Sequence, residues 1–467
     1  MFDITKLKVP FVDREPSSIS DRKEILKRLR DFFIEKEDDL CHVLNLDLHK
    51  PRVESLTCEI LTVKMAITIM IKNLDSWCGD KVLSRTFVSF FDTTIIKQQP
   101  LGRVLIIGAW NYPINLLFLP LIGALGAGNA VVLKPSELAP ETEAYIARVL
   151  PSYIDETVCQ IFLGNAEETK KLLDEYRFDH VFYTGGENAA RSILSQISKN
   201  LTPATLELGG KSPVYVDETA DLPLTAKRMM WAKALNAGQT CVGPDYVLCH
   251  EKVLDNLIKE CIEIVKKFYG EELEQWADYS RIVNKKHTAR LAALLQNTKG
   301  EKVFGGKIDL ENKIIELTIV KNVQADDVLM GEEIFGPILP IITVSSSDEA
   351  INFVLKRPKP LTTYVFTSKN DIQEAWKCRT TSGSIVFNEC IMQLALPDLP
   401  FGGVGNSGMG RYYGEASITT FSNFRSVLGK SPMEKLNNLF RYPPYTPKHE
   451  SWARWGLSKS DSTCTIS

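Results

Sequence analysis

Two short stretches of the chain carry side chains with the types and spacing that covalent catalysis requires. Residues 236–241 read Asn-Ala-Gly-Gln-Thr-Cys and end in Cys241. A single cysteine is usually buried and inert, but here Gly238 lets the backbone approach a ligand closely and its neighbours add polar groups. Residues 206–211 place Glu207 between two leucines and before a glycine pair, where loss of water raises the pKa of a carboxyl toward that of a useful base. A thiol nucleophile and a carboxylate base are the two groups needed to form and then hydrolyse a thioester.

The composition is that of an ordinary globular chain. Its 467 residues are 44% hydrophobic and 24% charged, and this length predicts two or three domains. The net charge of −3 gives no electrostatic reason to expect a nucleic acid as partner. Ten cysteines show neither a CxxC pair nor a metal-like Cys/His spacing, which predicts free thiols, no metal site and a reducing compartment such as the cytoplasm.

Neither the N-terminus nor the most apolar stretch predicts a membrane-directed segment. The first residues lack the apolar core of a signal peptide. The stretch 104–133 contains several asparagines, prolines and glycines, so it is typical of a buried α/β core rather than of a membrane span.

From residue 103 onward, short apolar runs alternate with helical segments, which predicts a parallel sheet covered on both faces. Sheets of this kind bind ligands at the carboxyl ends of their strands. The predicted strands span residues 103–107, 130–133, 160–163, 180–183, 205–208 and 214–216.

Three of these strand ends carry groups that could bind ligands. Asn111 follows the first strand and is, from the residues alone, better explained as a cap of the next helix. Lys134 and Glu137 follow the second and suit the hydroxyls of a ribose, although a solvated loop is the plainer interpretation. Gly185 and Gly186 open a helix after the strand at 180–183, where free N–H groups and the helix dipole favour a pyrophosphate.

After residue 209 a second α/β domain begins, and it contains Cys241. Residues 331–337 read Gly-Glu-Glu-Ile-Phe-Gly-Pro, which alone indicates a turn with a core phenylalanine. The glycine-rich loop 400–410 lacks the lysine and the spacing of a P-loop. Two further strands are predicted at 93–98, in a hairpin with 86–91, and at 418–424.

Taken together, these motifs resemble the aldehyde dehydrogenase superfamily, and most closely its class 3 and fatty aldehyde dehydrogenase branch. The resemblance runs from about residue 18 to about residue 445. It implies an α/β fold with a Rossmann-like cofactor domain, a second α/β catalytic domain and a small β bridging element used for oligomerisation, most simply in a homodimer. The corresponding boundaries are 1–80 and 100–209 for the cofactor domain, 210–395 for the catalytic domain, 84–99 and 411–426 for the bridging element, and 432–467 for a tail.

The resemblance also implies the reaction, which is NAD(P)-dependent oxidation of aldehydes, here medium- to long-chain aliphatic or lipid-derived, to carboxylic acids. Cys241 attacks the aldehyde, the Asn111 amide and the backbone N–H of Cys241 hold the oxyanion, and Glu207 activates the hydrolytic water; no metal is needed. The residues expected to bind the cofactor are Lys134, Glu137, Gly185, Gly186, Glu333 for the nicotinamide ribose and Phe335 for its ring.

Two residues affect the expected binding of the cofactor. One departs from the family pattern in the pyrophosphate motif, and the other affects the choice between NAD and NADP. Ala190 stands where the family usually has a second glycine. A carboxylate at Glu137 that bonds the adenine ribose would repel a 2′-phosphate, so NAD is expected, with NADP also accepted as in class 3 relatives.

Three other functions compete with this one. A CoA-acylating dehydrogenase would use the thiol without a water-activating base, which Glu207 argues against. A cysteine hydrolase needs a histidine partner, for which His180 and His250 are the candidates outside any recognisable motif. A non-catalytic binding or structural protein can be built on any fold.

The last four residues, 464–467, read Cys-Thr-Ile-Ser and fit a C-a-a-X prenylation site with a terminal serine that favours farnesyl. One lipid chain alone binds membranes marginally, and Trp452 and Trp455 could add interfacial contacts. The expected location is the cytoplasm, with attachment to a membrane surface through a lipid on Cys464.

Overall fold

The computed structural model describes residues 2–84, 89–273, 276–430, 432 and 441–458. Its strands are β1 (Lys81–Val82), β2 (Thr93–Pro100), β3 (Arg103–Ile107), β4 (Ala130–Lys134), β5 (Cys159–Ile161), β6 (His180–Gly185), β7 (Ala204–Leu208), β8 (Pro213–Val216), β9 (Tyr246–His250), β10 (Glu301–Phe304), β11 (Ile308–Asp309), β12 (Ile314–Ile315), β13 (Thr318–Lys321), β14 (Ile338–Val344), β15 (Thr362–Phe366), β16 (Ser384–Phe387), β17 (Gly408–Met409) and β18 (Ser422–Gly429).

Helices alternate with most of these strands, and a π-helical stretch, Leu56–Ile60, joins the third to the fourth. The helices are α1 (Ile19–Glu35), α2 (Glu37–Leu48), α3 (Arg52–Ser55), α4 (Leu61–Cys78), α5 (Asn115–Ala127), α6 (Pro140–Val149), α7 (Ala166–Glu175), α8 (Glu187–Ile197), α9 (Leu222–Ala234), α10 (Leu254–Tyr269), α11 (Lys285–Asn297), α12 (Ser347–Leu355), α13 (Asn370–Arg379), α14 (Gly414–Thr420) and α15 (Pro447–Ser458).

The first large sheet has the strand order β17-β7-β6-β3-β4-β5. Its strands run parallel except β17, which pairs antiparallel with β7. Helices cover the sheet, and every residue of α5 is buried, which explains why the stretch 104–133 is so apolar. The carboxyl ends of β3, β4, β6 and β7 therefore lie along one edge, as expected for an open parallel sheet.

The second large sheet has the strand order β10-β13-β14-β9-β8-β15-β16. It is parallel except for the antiparallel edge strand β10. The predicted strand at 214–216 belongs here, as β8, rather than to the first sheet. These two sheets give the mixed α/β architecture that the sequence predicted.

A small antiparallel sheet with the order β1-β2-β18 differs in detail from the prediction. The hairpin partner of β2 is residues 81–82, whereas the predicted partner, 86–91, falls partly outside the described residues. Residues 418–420 are the end of α14 instead of a strand. Ile418 and Phe421 are buried, and Gly123 lets Ser417 approach α5 closely, so packing favours a helix there.

Candidate active site

The loop that carries Cys241 follows α9 and turns sharply. Asn236 and Ala237 have φ values of 51° and 52°, a left-handed conformation that non-glycine residues adopt only when their surroundings hold it. Gly238 follows with φ 73°, and a side chain there would clash with the carbonyl of Gly336. A glycine is thus required at position 238 because another backbone segment, 331–337, approaches it closely.

Gln239 fixes this loop from inside. It is fully buried, its amide nitrogen donates to the carbonyls of Asn236 and Arg281 at 3.0 Å each, and its amide oxygen accepts from the N–H of Val283 at 3.0 Å. The polar residues that surround the cysteine in sequence therefore serve mainly to shape the loop.

Asn111 lies against the same loop. Its side-chain nitrogen donates to the carbonyl of Gln239 at 3.0 Å, which leaves the second N–H of the amide for another acceptor. It does not cap the following helix: the N–H groups of Ile114 and Asn115 donate to the carboxylate of Glu59 at 3.1 and 2.9 Å. The structure thus brings Asn111 and Cys241 together.

Burial dominates the electrostatics of the thiol and of Glu207. Burial raises the pKa of the Cys241 thiol to about 12, and the carboxyls of Glu333 and Glu207 add to the shift. Burial also raises the pKa of Glu207 well above its ordinary value, and Arg411 opposes this weakly. Glu207 is therefore close enough to Cys241 for the two groups to affect each other's ionisation.

Glu207 is a buried carboxyl without a hydrogen-bond partner. It is 3% exposed, and neither of its side-chain oxygens has a partner among the residues described. Thr184 is paired with it in the sheet register and so points to the same face; its hydroxyl is also buried and lacks a partner among those residues. Buried polar atoms normally have partners, so this pocket is built to receive a polar group such as a water or a substrate atom.

The predicted cofactor residues lie along the carboxyl ends of the first sheet. Lys134 is buried at the end of β4, where its amine donates to the carbonyl of Pro135 at 3.0 Å and pairs with Glu137 at 2.5 Å. Gly185 ends β6, and Gly186 is the N-cap of α8 without a side-chain cap. A Cβ added to Gly186 would meet open space, so the free N–H groups of α8 face room for a phosphate.

Glu333 and Phe335 approach the thiol from the second sheet. Any side chain at Gly209 would overlap the carboxyl of Glu333, so these residues are in direct contact. Burial, with Asp245 next, raises the pKa of Glu333 to about 8, and the N–H of Gly210 opposes the shift. Phe335 packs edge-on against Trp110 with ring centroids 5.3 Å apart. The segment 331–337 thus contacts residues that follow strands of the first sheet.

These placements fit a nicotinamide dinucleotide. An uncapped helix N-terminus beside open space suits the diphosphate. An amine paired with a carboxylate suits ribose hydroxyls, and the aromatic side chain of Phe335, which packs against Trp110, suits the nicotinamide ring.

The two candidate histidines of a hydrolase serve other purposes. His180 bonds the hydroxyl of Thr205 at 3.0 Å and packs on Phe421, and burial lowers its pKa to about 4. His250 accepts from the N–H of Lys252 at 3.3 Å. Neither of these bonds involves the thiol.

Sequence reasoning missed the charged residues that support the site. Lys50 and Glu59 form a fully buried ion pair at 2.5 Å, and the amine of Lys50 also donates to the carbonyl of Asn111 at 3.0 Å. Glu54 accepts from the N–H of Asn236 at 3.0 Å. The sequence gives little signal for these residues, because single charged residues in short helices and in the loops between helices are common on solvated surfaces.

A small apolar groove with an enclosed volume of about 30 Å³ lies beside these elements. Its walls come from α4, α5 and the segment 394–397, and include Met65, Ile69, Leu119, Leu394 and Tyr413. Tyr413 links the groove to the site, because its pKa is raised first by burial and then by Cys241 and Glu207.

Nine of the ten cysteines lie in the described residues, and all nine are free thiols. Cys464 lies outside those residues. Among the helices described, none combines the length and the apolar character that crossing a bilayer requires.

Comparison with known proteins agrees with this architecture. The aldehyde dehydrogenase family profile matches residues 11–427. Aldehyde dehydrogenase family 3 member B3 of Mus musculus is 41% identical over 99% of this chain and 96% of its own length. Family 3 member A2 of Pongo abelii is 41% identical over 98% of this chain and 94% of its own length. A substrate-bound state of Staphylococcus aureus AldH has a TM-score of 0.91 at 41% identity, covering 94% of this chain and 96% of that one.

The fold is that of an α/β dehydrogenase, and the chain belongs to the aldehyde dehydrogenase family. It is an enzyme that oxidises small-molecule aldehydes with NAD(P)+. The predicted resemblance to class 3 and fatty aldehyde dehydrogenases, the α/β fold and the enzyme class are therefore confirmed.

Proposed function

We propose that Cys241 is the nucleophile and Glu207 the base in a reaction that passes through a thiohemiacetal and a thioester. The observation that carries this assignment is the buried carboxyl of Glu207, unpartnered among the described residues, within electrostatic reach of the thiol. A structural carboxyl in such a place would have hydrogen-bond donors around it. The same base argues against a CoA-acylating dehydrogenase, which does not hydrolyse its thioester.

The raised pKa values define what each group does. The raised pKa of the thiol means that Cys241 must first release its proton to solvent, after which the thiolate attacks the carbonyl carbon. A carboxyl with a raised pKa binds a proton more strongly when ionised than an ordinary one does, which suits Glu207 to the activation of the hydrolytic water. The free N–H of Asn111 and the backbone N–H of Cys241 then hold the oxyanion.

The cofactor residues keep the roles that the sequence suggested. Lys134 and Glu137 hold the adenine ribose, Gly185 and Gly186 with the N-terminus of α8 hold the diphosphate, and Glu333 and Phe335 hold the nicotinamide end. When bound, the oxidised nicotinamide ring supplies the hydride acceptor. The carboxylate of Glu137 favours NAD over NADP, because a 2′-phosphate would meet its negative charge.

These roles assign the chain to three units. The cofactor unit is 1–80 with 100–209, the catalytic unit is 210–395, and the bridging element is 84–99 with 411–426. The bridging sheet supports assembly as a homodimer. It exposes Val82, Phe424 and Leu428, and exposed strand edges with apolar side chains favour pairing with a second chain.

Medium- to long-chain aliphatic or lipid-derived aldehydes are the proposed substrates. The apolar lining of the groove beside Tyr413 supports this class, since contact of an alkyl chain with such a surface contributes about 0.8 kcal/mol for each CH₂ group buried. An activity panel over increasing chain length with NAD and NADP tests it. Efficient oxidation of acetaldehyde with no gain toward longer chains would contradict the proposal.

Prenylation of Cys464 is proposed as the means of membrane attachment. The exposed Trp452 and Trp455 on α15 supply the second contact that a single lipid needs. Mass spectrometry of the C-terminal peptide from eukaryotic cells should show a farnesylated, trimmed and methylated Cys464. Cys464→Ser should move the protein off membranes, whereas Cys378→Ser should not. An unmodified C-terminus in such cells would rule the proposal out.

Cys241→Ala tests the catalytic assignment. Aldehyde oxidation should be abolished while binding of NAD, measured by calorimetry, is largely retained. Cys378→Ala is the matched control, since this cysteine is free and exposed, and its activity should equal that of the wild type. Turnover above a trace in the Cys241 variant would exclude this thiol as the nucleophile.

A further inference from the structure

Glu54 contacts the nucleophile loop at its most constrained point. This residue lies in α3, and its carboxylate accepts from the backbone N–H of Asn236 at 3.0 Å and from the hydroxyl of Ser280 at 3.4 Å. Asn236 and Ala237 are consecutive left-handed residues, a conformation that persists only when surrounding groups hold it. The bond from Glu54 is one of the contacts that hold it.

Asn236 connects this contact to both candidate catalytic residues. Its side-chain nitrogen donates to the carbonyls of Asn111 at 2.8 Å and Gln239 at 3.2 Å. The amide of Asn111 donates to the same carbonyl of Gln239 at 3.0 Å, two residues before Cys241. Glu54 therefore fixes the start of a short loop whose end presents the thiol and whose carbonyl orients Asn111.

The charge of Glu54 is held without a dedicated counterion. Among the described residues it forms no salt bridge within 4.0 Å, because the nearby amine of Lys50 already pairs with Glu59. Burial raises the pKa of Glu54 to about 7, against the lowering effects of the Asn236 N–H, Lys50 and Ser280. The titratable groups that face Glu54 are Lys50, Cys58, Tyr112, Tyr269, Asp278 and Tyr279.

We propose that Glu54 is a positioning residue whose ionised form holds the Asn236–Cys241 loop in the conformation that presents the thiol. This inference rests on the proposed role of Cys241. It makes aldehyde oxidation respond to the proton on one carboxyl that does not touch the reacting atoms.

Ionisation of Glu54 has opposite consequences for the loop and for the fold. The charged carboxylate accepts its two hydrogen bonds more strongly than the protonated group does. Since the pKa rises from 4.5 in the unfolded chain to about 7, the stability that this group contributes is fully present below the lower value. It declines as the pH rises through the higher one. Activity should therefore gain from ionisation over the same interval in which stability falls.

The test is the pH profile of kcat/KM for one aldehyde in wild type, Glu54→Gln, Ser280→Ala and Glu35→Gln. Glutamine keeps an acceptor for Asn236 but cannot ionise. The wild type should show a titration near the pKa of Glu54 that Glu54→Gln lacks. At alkaline pH the variant should be about fivefold less active, because a charged acceptor bonds more strongly than a neutral one. At acid pH the two should converge, and Glu54→Gln should have the higher Tm at alkaline pH.

Ser280→Ala gives a directional check that a purely structural role does not produce. Removing this donor should raise the pKa of Glu54 and move the titration to higher pH. Glu35→Gln changes a surface carboxylate that bonds Tyr153 and should match the wild type. Superimposable profiles for wild type and Glu54→Gln, or an unmoved titration in Ser280→Ala, would overturn the inference. Turnover by Cys241→Ala in the same assay would instead refute the nucleophile assignment.

Discussion

Glu59 and Glu207 are both buried glutamates, yet their surroundings are opposite. Glu59 accepts from the amine of Lys50 and from two N–H groups at the start of α5, whereas Glu207 has no partner among the described residues. Burial raises the pKa of both. The difference shows that burial alone does not separate a structural carboxyl from a reactive one. The hydrogen bonds around the group do, because each donor that stabilises a carboxylate also makes it a weaker base.

The largest effect is expected at the unpartnered carboxyl. Glu207→Gln keeps the shape of the side chain but cannot accept a proton, so steady-state turnover should fall on the order of 10³-fold. One equivalent of NADH should still form in a burst before the thioester stalls, as rapid-mixing absorbance would show. Full turnover would remove Glu207 from the mechanism.

The same variant should become more stable relative to the wild type as the pH rises. The raised pKa of Glu207 means that its stabilising contribution is present at low pH and lost as the pH rises through the folded-state value. The Tm difference between Glu207→Gln and wild type should therefore grow in favour of the variant as the pH rises above the ordinary value of 4.5. A Tm difference that stays constant with pH would mean that the pKa of Glu207 is not raised in the folded protein.

The next largest effect is expected on the free energy of unfolding, at the hydrogen-bonded carboxyl of Glu59. Lys50→Met leaves Glu59 buried without its counterion and should lower the free energy of unfolding by about 3–5 kcal/mol. Denaturant unfolding measures this loss. The double variant Lys50→Met with Glu59→Leu should recover only part of it, because no buried charge remains but the N–H groups of Ile114 and Asn115 lose their acceptor. Equal stability of the single variant and wild type would contradict the contrast between the two carboxyls.

Asn111 lies between the two regions, because its carbonyl accepts from Lys50 and its amide donates at the thiol loop. Asn111→Ala keeps the backbone carbonyl and removes the side-chain amide. The transition state should lose about 3 kcal/mol of stabilisation, which lowers kcat, with little change in Tm. A large loss of Tm with unchanged kcat would make this residue purely structural.

The smallest effect is expected at Thr184, which shares the face of the sheet with Glu207. Thr184→Val keeps the shape of the side chain and removes the hydroxyl. If the hydroxyl binds the hydrolytic water, the activation free energy of thioester hydrolysis should rise by about 1 kcal/mol. Single-turnover kinetics should show slower acid release and an unchanged NADH burst. A slower burst would place Thr184 in the first step instead.

Sequence reasoning located the residues at strand ends because parallel strands bring their carboxyl ends to one edge. Asn111, Lys134 and Gly185 followed from this rule. It did not locate Lys50, whose partner Glu59 lies in the π-helical stretch and whose target is the carbonyl of Asn111 in the loop after β3.

The same limit explains the misplaced strand at 418–424. The β-branched residues of that stretch favour a strand locally, but burial of Ile418 against α5 stabilises a helix instead. Contacts between distant segments leave little trace in local periodicity.

The short strand β17 has a consequence for the modularity of the molecule. Gly408 and Met409 pair antiparallel with Glu207 and Leu206 on the outer edge of the first sheet. Residues more than 190 positions downstream in the chain therefore cover an edge that would otherwise expose unpaired N–H and C=O groups. A fragment ending near residue 210 would lose this cover and tend to aggregate. The first sheet is consequently completed by the later part of the chain, and we expect residues 1–210 alone to be less stable than the same residues in the whole protein.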